Sequence, residues 1–192
     1  MRPLIKKSTI ISFLSAVLFS SLCFSQAFKI DTGKSSLTVY GTSSLHDWHI
    51  VTQSFNGALS FTNLEGCEIE QLQVEIPVET LKSGKKSMDK NTYKALNTNT
   101  YPKVSFKLTK VDEVKSLGGN KYEVKAYGDL TIAGTKKNIP LKLEVQINGS
   151  TVKLVGEKDI KMTDFNVDPP TALFGTITTG DALTIKFESI FK

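Results

Sequence analysis

Arginine is almost missing from this sequence. Arg2 is the only one among the 24 basic residues of a 192-residue chain, so every other cation is a lysine. Nucleic-acid and phosphate recognition normally relies on the planar guanidinium fork and a strong positive field, and neither is present. Cysteine is as scarce, with Cys23 and Cys67 alone. Histidine occurs twice and tryptophan once, all inside Leu45-His46-Asp47-Trp48-His49. There is no G-x-S-x-G elbow, no H-E-x-x-H, no C-x-x-C and no glycine-rich phosphate loop. Repeats, linkers and low-complexity tracts are missing too. A chain so poor in reactive side chains points away from catalysis.

What is present begins with a leader. Arg2, Lys6 and Lys7 form a basic start, Ile10 to Phe24 is apolar, and Ser25 and Ala27 are small residues suited to cleavage. The apolar stretch is shorter than the ~20 residues of a spanning helix and carries several serines. Residues 1–27 therefore read as a cleaved signal peptide and residues 28–192 as one exported domain, periplasmic or secreted, with no stable membrane insertion. Cys23 follows Leu22 rather than a small residue, which argues against lipid attachment. Without the leader 21 basic residues face 19 acidic ones, and Cys67 is left alone, so no intramolecular disulfide can form. Stability has to come from burial, for which roughly 165 residues suffice.

The remaining sequence is dominated by alternation. Ile139, Leu141, Leu143, Val145 and Ile147 interleave with polar partners, as do Leu72, Val74, Ile76 and Val78, then Val104, Phe106 and Leu108, then Tyr122, Val124, Ala126, Leu130 and Ile132, and finally Leu183, Ile185 and Phe187. Each is a strand with one apolar face. Further strands are expected near 35–41, 48–53, 57–62 and 151–162. Asn56-Gly57 reads as a hairpin turn, and Gly118-Gly119, Gly134 and Asn148-Gly149 as further turns. Asn148-Gly149-Ser150 also matches a glycosylation sequon, which the turn explains without sugar. Between Lys85 and Leu96 the alternation stops, and Met88, Tyr93 and Leu96 can share one face of a short helix ended by Pro102. The expected fold is all-β: an extended antiparallel barrel of about eight strands, with one short helix, whose closure removes exposed edges.

The interior is then a core or a container. Alternation sends Leu37, Val39, Trp48, Phe106, Val124, Leu130, Leu141, Leu143, Ile185 and Phe187 inward. Gly128 and Gly156 fall on the same inward faces, where a glycine marks a bend or a close approach to the wall. The stretch from Asp164 to Gly180 holds Phe165, Val167, Leu173 and Phe174 around Pro169-Pro170, an apolar loop that either plugs the barrel or covers a site. Met88, Tyr93, Phe165, Leu173 and Phe174 have no place on a strand face and are available as stoppers at an opening. His46 and His49 should diverge on a strand, so no metal site is expected.

Lys29-Ile30-Asp31 with Ser35-Ser36-Leu37, the run L-N-T-N-T-Y-P-K-V-S-F from Leu96 to Phe106, the run G-D-L-T-I-A-G-T-K-K-N-I-P-L from Gly128 to Leu141, and Met162-Thr163-Asp164-Phe165 resemble the YceI-like lipid/polyisoprenoid-binding family. Order and spacing match from about Lys29 to Phe191, and the segment His46 to His49 departs from commoner members. The resemblance implies a lipocalin-like barrel that holds an isoprenoid chain, such as a quinone or polyprenyl compound, as cargo rather than cofactor. The expected protein is a binding protein with no catalytic residues. Its partner is an apolar lipid, nucleic acid is excluded, and a second copy of the chain is left open. The rivals are an enzyme or redox accessory acting on a bound quinone, marked by a titratable group in the lumen, and a structural or adhesive domain, marked by a solid interior.

Overall fold

The computed structural model describes residues 26–192. The expected leader lies almost wholly outside the described residues, and its last two, Gln26 and Ala27, are paired in the first strand.

The described chain forms β1 (Gln26–Lys29), β2 (Ser36–Ser43), β3 (Trp48–Thr52), β4 (Asn56–Asn63), β5 (Glu68–Pro77), α1 (Lys86–Ala95), β6 (Lys103–Gly118), β7 (Lys121–Ile132), β8 (Thr135–Asn148), β9 (Thr151–Lys161), β10 (Thr171–Ala172) and β11 (Ile177–Phe191). All strand pairings are antiparallel. Eleven segments replace the expected eight, and the pairing explains the difference. β1 and β2 both run beside β11, joined by a short 3-10 turn, and act as one bent stave. β3 and β4 both pair with that stave and form a second, while β10 is a two-residue ladder on β11. Merging the two bent staves and setting β10 aside leaves eight, in an up-and-down order. The isolated bridges Ile30–Phe191 and Val51–Lys82 join the curled sheet to itself.

One expected turn is corrected. Asn56-Gly57 does not fold β3 onto β4. It lies inside β4, opposite Glu75 and Val74 of β5. Gly57 is needed there for space, because a Cβ would come within 2.5 Å of the Ile30 side chain and 2.8 Å of the Gln73 carbonyl oxygen. The turns at Gly118-Gly119, Gly134 and Gly149 do form, each with glycine in the left-handed region.

The interior is filled at one end. Phe28, Leu59, Phe61, Cys67, Val124, Val145, Val152 and Phe191 pack as a solid floor. Burial pushes the Cys67 thiol up to about 12, which makes it inert. At the other end stand α1, the β2–β3 tip, the β7–β8 turn and the long β9–β11 connection. The β8–β9 ladder stops at Leu143–Gly156, and the two strands separate beyond it. Phe165, 2% exposed, packs there with Leu130, Ile132, Met162 and Val167, and an Asn166–Thr135 hydrogen bond of 3.1 Å ties the segment to β8.

Candidate functional site

Above the floor the barrel encloses a cavity of about 1060 Å³, at the upper end of the ~300–1,000 Å³ typical of small-molecule sites. Leu72, Leu143, Leu154 and Phe191 form its base, and Leu37, Val39, Ile50 and Ile185 one wall. α1 closes part of the top with Met88 and Leu96 beside Ser87, Asn91 and Thr92. The β9–β11 connection contributes Phe165, Val167, Leu173 and Phe174, and the β2–β3 tip Ser43, Leu45, His46 and Trp48.

Aromatic rings shape the walls, and glycines seat them. A Cβ at Gly128 would lie 2.2 Å from Phe106 Cζ and 2.9 Å from the Lys107 carbonyl oxygen. One at Gly156 would lie 2.4 Å from Phe187 Cζ, and one at Gly41 only 2.2 Å from Trp48 Cζ2. Each glycine therefore lets a ring lie flat against the sheet. The Trp48 indole is held in place by Nε1 donating to the Thr42 carbonyl at 2.8 Å.

The lid is tied down by polar contacts. The Asp89 carboxylate accepts from the Ser83 N–H at 2.8 Å and the Ser83 hydroxyl at 2.6 Å, which fixes the start of α1. Burial, the largest influence on Asp89, works upward, yet these two bonds and Lys82 hold the carboxyl below its ordinary value. At the β9–β11 connection Asp181 accepts from the Thr163 N–H at 2.9 Å and its hydroxyl at 2.7 Å. The two tips are joined, Ser44 N–H to Thr178 O at 2.9 Å and Thr178 N–H to Ser44 Oγ at 3.1 Å. Between them Leu173 and Phe174 sit in the left-handed region, at φ 49° and 57°. That conformation costs a non-glycine residue about 1–2 kcal/mol. Here it turns Phe174 fully outward, with Leu173 and Leu45 about two-thirds exposed.

Leu37, Val39, Trp48, Met88, Phe106, Leu130, Leu141, Leu143, Phe165, Ile185 and Phe187 all line this one cavity, and Leu173 and Phe174 stand at its open rim. Three expected residues do not. Val124 is fully buried in the solid floor, because alternation assigns a face and not a depth. Gly128 faces inward but lies behind the Phe106 ring. Tyr93 points its hydroxyl at the Glu79 and Leu81 carbonyls, 3.0 Å from each, and accepts from Lys82 Nζ at 2.6 Å, so it fastens α1 rather than stopping an opening. His46 lines the cavity whereas His49 is on the outer face beside Tyr40.

Sequence reasoning missed Lys158. The inward positions of β9 run Val152, Leu154, Gly156, Lys158, Ile160 and Met162, so extending the period past Gly156 would have found it. Ile160 was open to the same extension, and Ile76, Ile139 and Leu183, already placed on apolar strand faces, line the cavity as well.

A sequence profile of the YceI-like domain matches residues 28–191. The chain belongs to the YceI-like domain family. Among solved structures, this YceI-like chain is similar to BcnA of Burkholderia cenocepacia, with 24% identity, a TM-score of 0.67, and 84% of this chain and 98% of that one covered. It is also similar to a polyisoprenoid-binding domain from Saccharophagus degradans, with 12% identity, a TM-score of 0.68, and 86% and 97% covered. The YceI protein of Campylobacter jejuni is similar at 20% identity and a TM-score of 0.59, over 72% and 81% of the two chains. No curated protein matches the sequence.

Proposed function

We propose that this YceI-like protein is an exported carrier or store for one elongated apolar lipid of isoprenoid type, held in the cavity above the floor. The observation that carries the reading is the cavity itself: about 1060 Å³, walled mainly by leucine, isoleucine, valine and aromatic rings, with no carboxylate among the described residues that line it. Each CH₂ removed from water contributes about 0.8 kcal/mol, so affinity grows with chain length. The similar Saccharophagus fold is named as polyisoprenoid-binding, which favours a branched, unsaturated chain. The basic, apolar and small-residue organisation of residues 1–27 supports export to a periplasm or the exterior.

An isoprenoid quinone is one such cargo, and the enzymatic alternative would act on it. That alternative gains from the titratable side chains along the cavity, Lys158 in the wall, His46 at the β2–β3 tip and Lys85 at the lid. We favour binding over turnover, because general acid–base chemistry needs a positioned partner for such a group and the Lys158 ammonium has no hydrogen bond or ion pair among the described residues.

Trp48 is the only tryptophan and lines the cavity, so it reports occupancy. Titrating delipidated protein with a long isoprenoid alcohol should change its fluorescence saturably. A response that stays linear and is no different from free tryptophan would contradict the proposal.

A further inference from the structure

The cavity wall is uneven in charge. Among the described residues it contains two lysines, Lys85 at the lid and Lys158 in the barrel wall, and no aspartate or glutamate. The chain after the leader is otherwise almost balanced, 21 basic residues against 19 acidic, so the missing carboxylates are a feature of this surface and not of the composition.

Lys158 is the unusual one. It stands opposite Ile185 in the β9–β11 ladder, between Gly156 and Ile160 on the inward face, below Met162 and the lid. Its two acidic neighbours are turned outward and engaged there: Glu157 with Lys186 at 3.1 Å, Asp159 with the Thr184 hydroxyl at 2.6 Å. The ammonium of half-buried Lys158 has neither an ion pair nor a hydrogen bond among the described residues. A half-buried lysine on an apolar wall gives up part of its hydration, a cost that a partner for its charge would offset. A leucine or valine there would pack without that cost.

Resting on the carrier reading above, we infer that Lys158 is a head-group subsite, and that the cargo is an amphiphile whose apolar chain ends in an anionic oxygen group, a carboxylate or a phosphate ester. A charge-assisted hydrogen bond from the ammonium to such an oxygen is about twice as strong as a neutral one. An alcohol head forms only the weaker bond. The subsite therefore acts as a selectivity device in a container whose barrel wall is otherwise mainly apolar and whose polar groups gather at the lid and the β2–β3 tip.

The test uses the full chain, delipidated, with three probes sharing one tail: farnesol, farnesoic acid and farnesyl monophosphate, each titrated calorimetrically at neutral pH. Wild type should bind the two anions at least tenfold more tightly than the alcohol, as expected when a hydrogen bond to a charged group replaces a neutral one. Preference for the phosphate over the acid identifies a phosphate-ester cargo, and the reverse a carboxylate. Lys158→Met should erase the preference, weakening the two anions far more than farnesol, which loses only its weaker bond, while Lys158→Arg keeps most of it. Should Lys158→Met not fold, the wild-type ratio and the Lys158→Gln ratio carry the same decision. Equal affinities for all three probes in wild type would overturn the subsite and leave the carrier reading standing. Loss of the preference in Lys85→Met but not in Lys158→Met would also overturn it, moving recognition to the lid. Failure of every probe to bind would instead remove the carrier reading.

Discussion

Gly128 and Gly156 each leave room for a phenyl ring where a side chain would otherwise stand, and the rings of Phe106 and Phe187 are part of the cavity wall as a result. A methyl group at Gly128 has nowhere to go without moving Phe106 into the cavity, and the Lys107 carbonyl at 2.9 Å cannot follow. Gly128→Ala should therefore lower stability by about 1–3 kcal/mol, the usual cost of overpacking. Thermal melting of the delipidated protein measures it, and adding Phe106→Ala should restore part of the loss. An unchanged melting temperature in Gly128→Ala would contradict the ring seat. At this scale the sequence is half legible. Alternation puts Gly128, Val124 and Phe106 on one face, but no period tells that Val124 lies in the floor, or that Phe106 folds back over Gly128.

At the scale of elements the mouth is built from parts with different signals. The loss of alternation between Lys85 and Leu96 places α1 within a residue at each end, because a lost period is a local feature, while Pro102 only bounds the segment from beyond. Asn56-Gly57 misleads for the opposite reason: its turn propensity is local, while the crossing of Ile30 over Gly57 comes from a strand far back in the sequence. The β9–β11 connection depends on Asp181. The Thr163 N–H and hydroxyl hold its carboxyl below the ordinary value, burial opposes them, and Lys161 assists. A value depressed in the folded state gives stability that is present above the unfolded value and lost as the pH falls through the folded one. Hydrogen-exchange protection of the Thr163 amide should thus drop in acid below the usual carboxylate range, and Asp181→Asn should show low protection at every pH. Equal protection in both proteins would contradict this. Phe174 is strained and fully exposed beside the mouth, so it has little to lose in the fold. Phe174→Ser should leave melting unchanged and slow lipid uptake from vesicles severalfold; unaltered uptake would exclude the tip from loading.

For the whole molecule the governing fact is the division of one barrel into a filled lower part and a hollow upper part. Eight antiparallel staves follow from repeated alternation and turn glycines, and the family is legible in the runs around Pro102, Gly128 and Met162. The division itself is not, because residues of the same type, such as Leu59 and Leu37, form the floor and the wall. Only the distance between staves decides which leucines meet one another and which meet space. The large bulged β6, the separation of β8 from β9 and the inserted Phe165 set that distance, and all are long-range. The central claim is that the space is meant for a lipid. Organic extraction of the purified native protein followed by mass spectrometry of the extract tests it most directly. A carrier with the Lys158 subsite should release a single class of chain lipid, in near-equimolar amount with the protein, carrying an acidic head group. An extract free of lipid, from protein that also fails to take one up when offered, would contradict it.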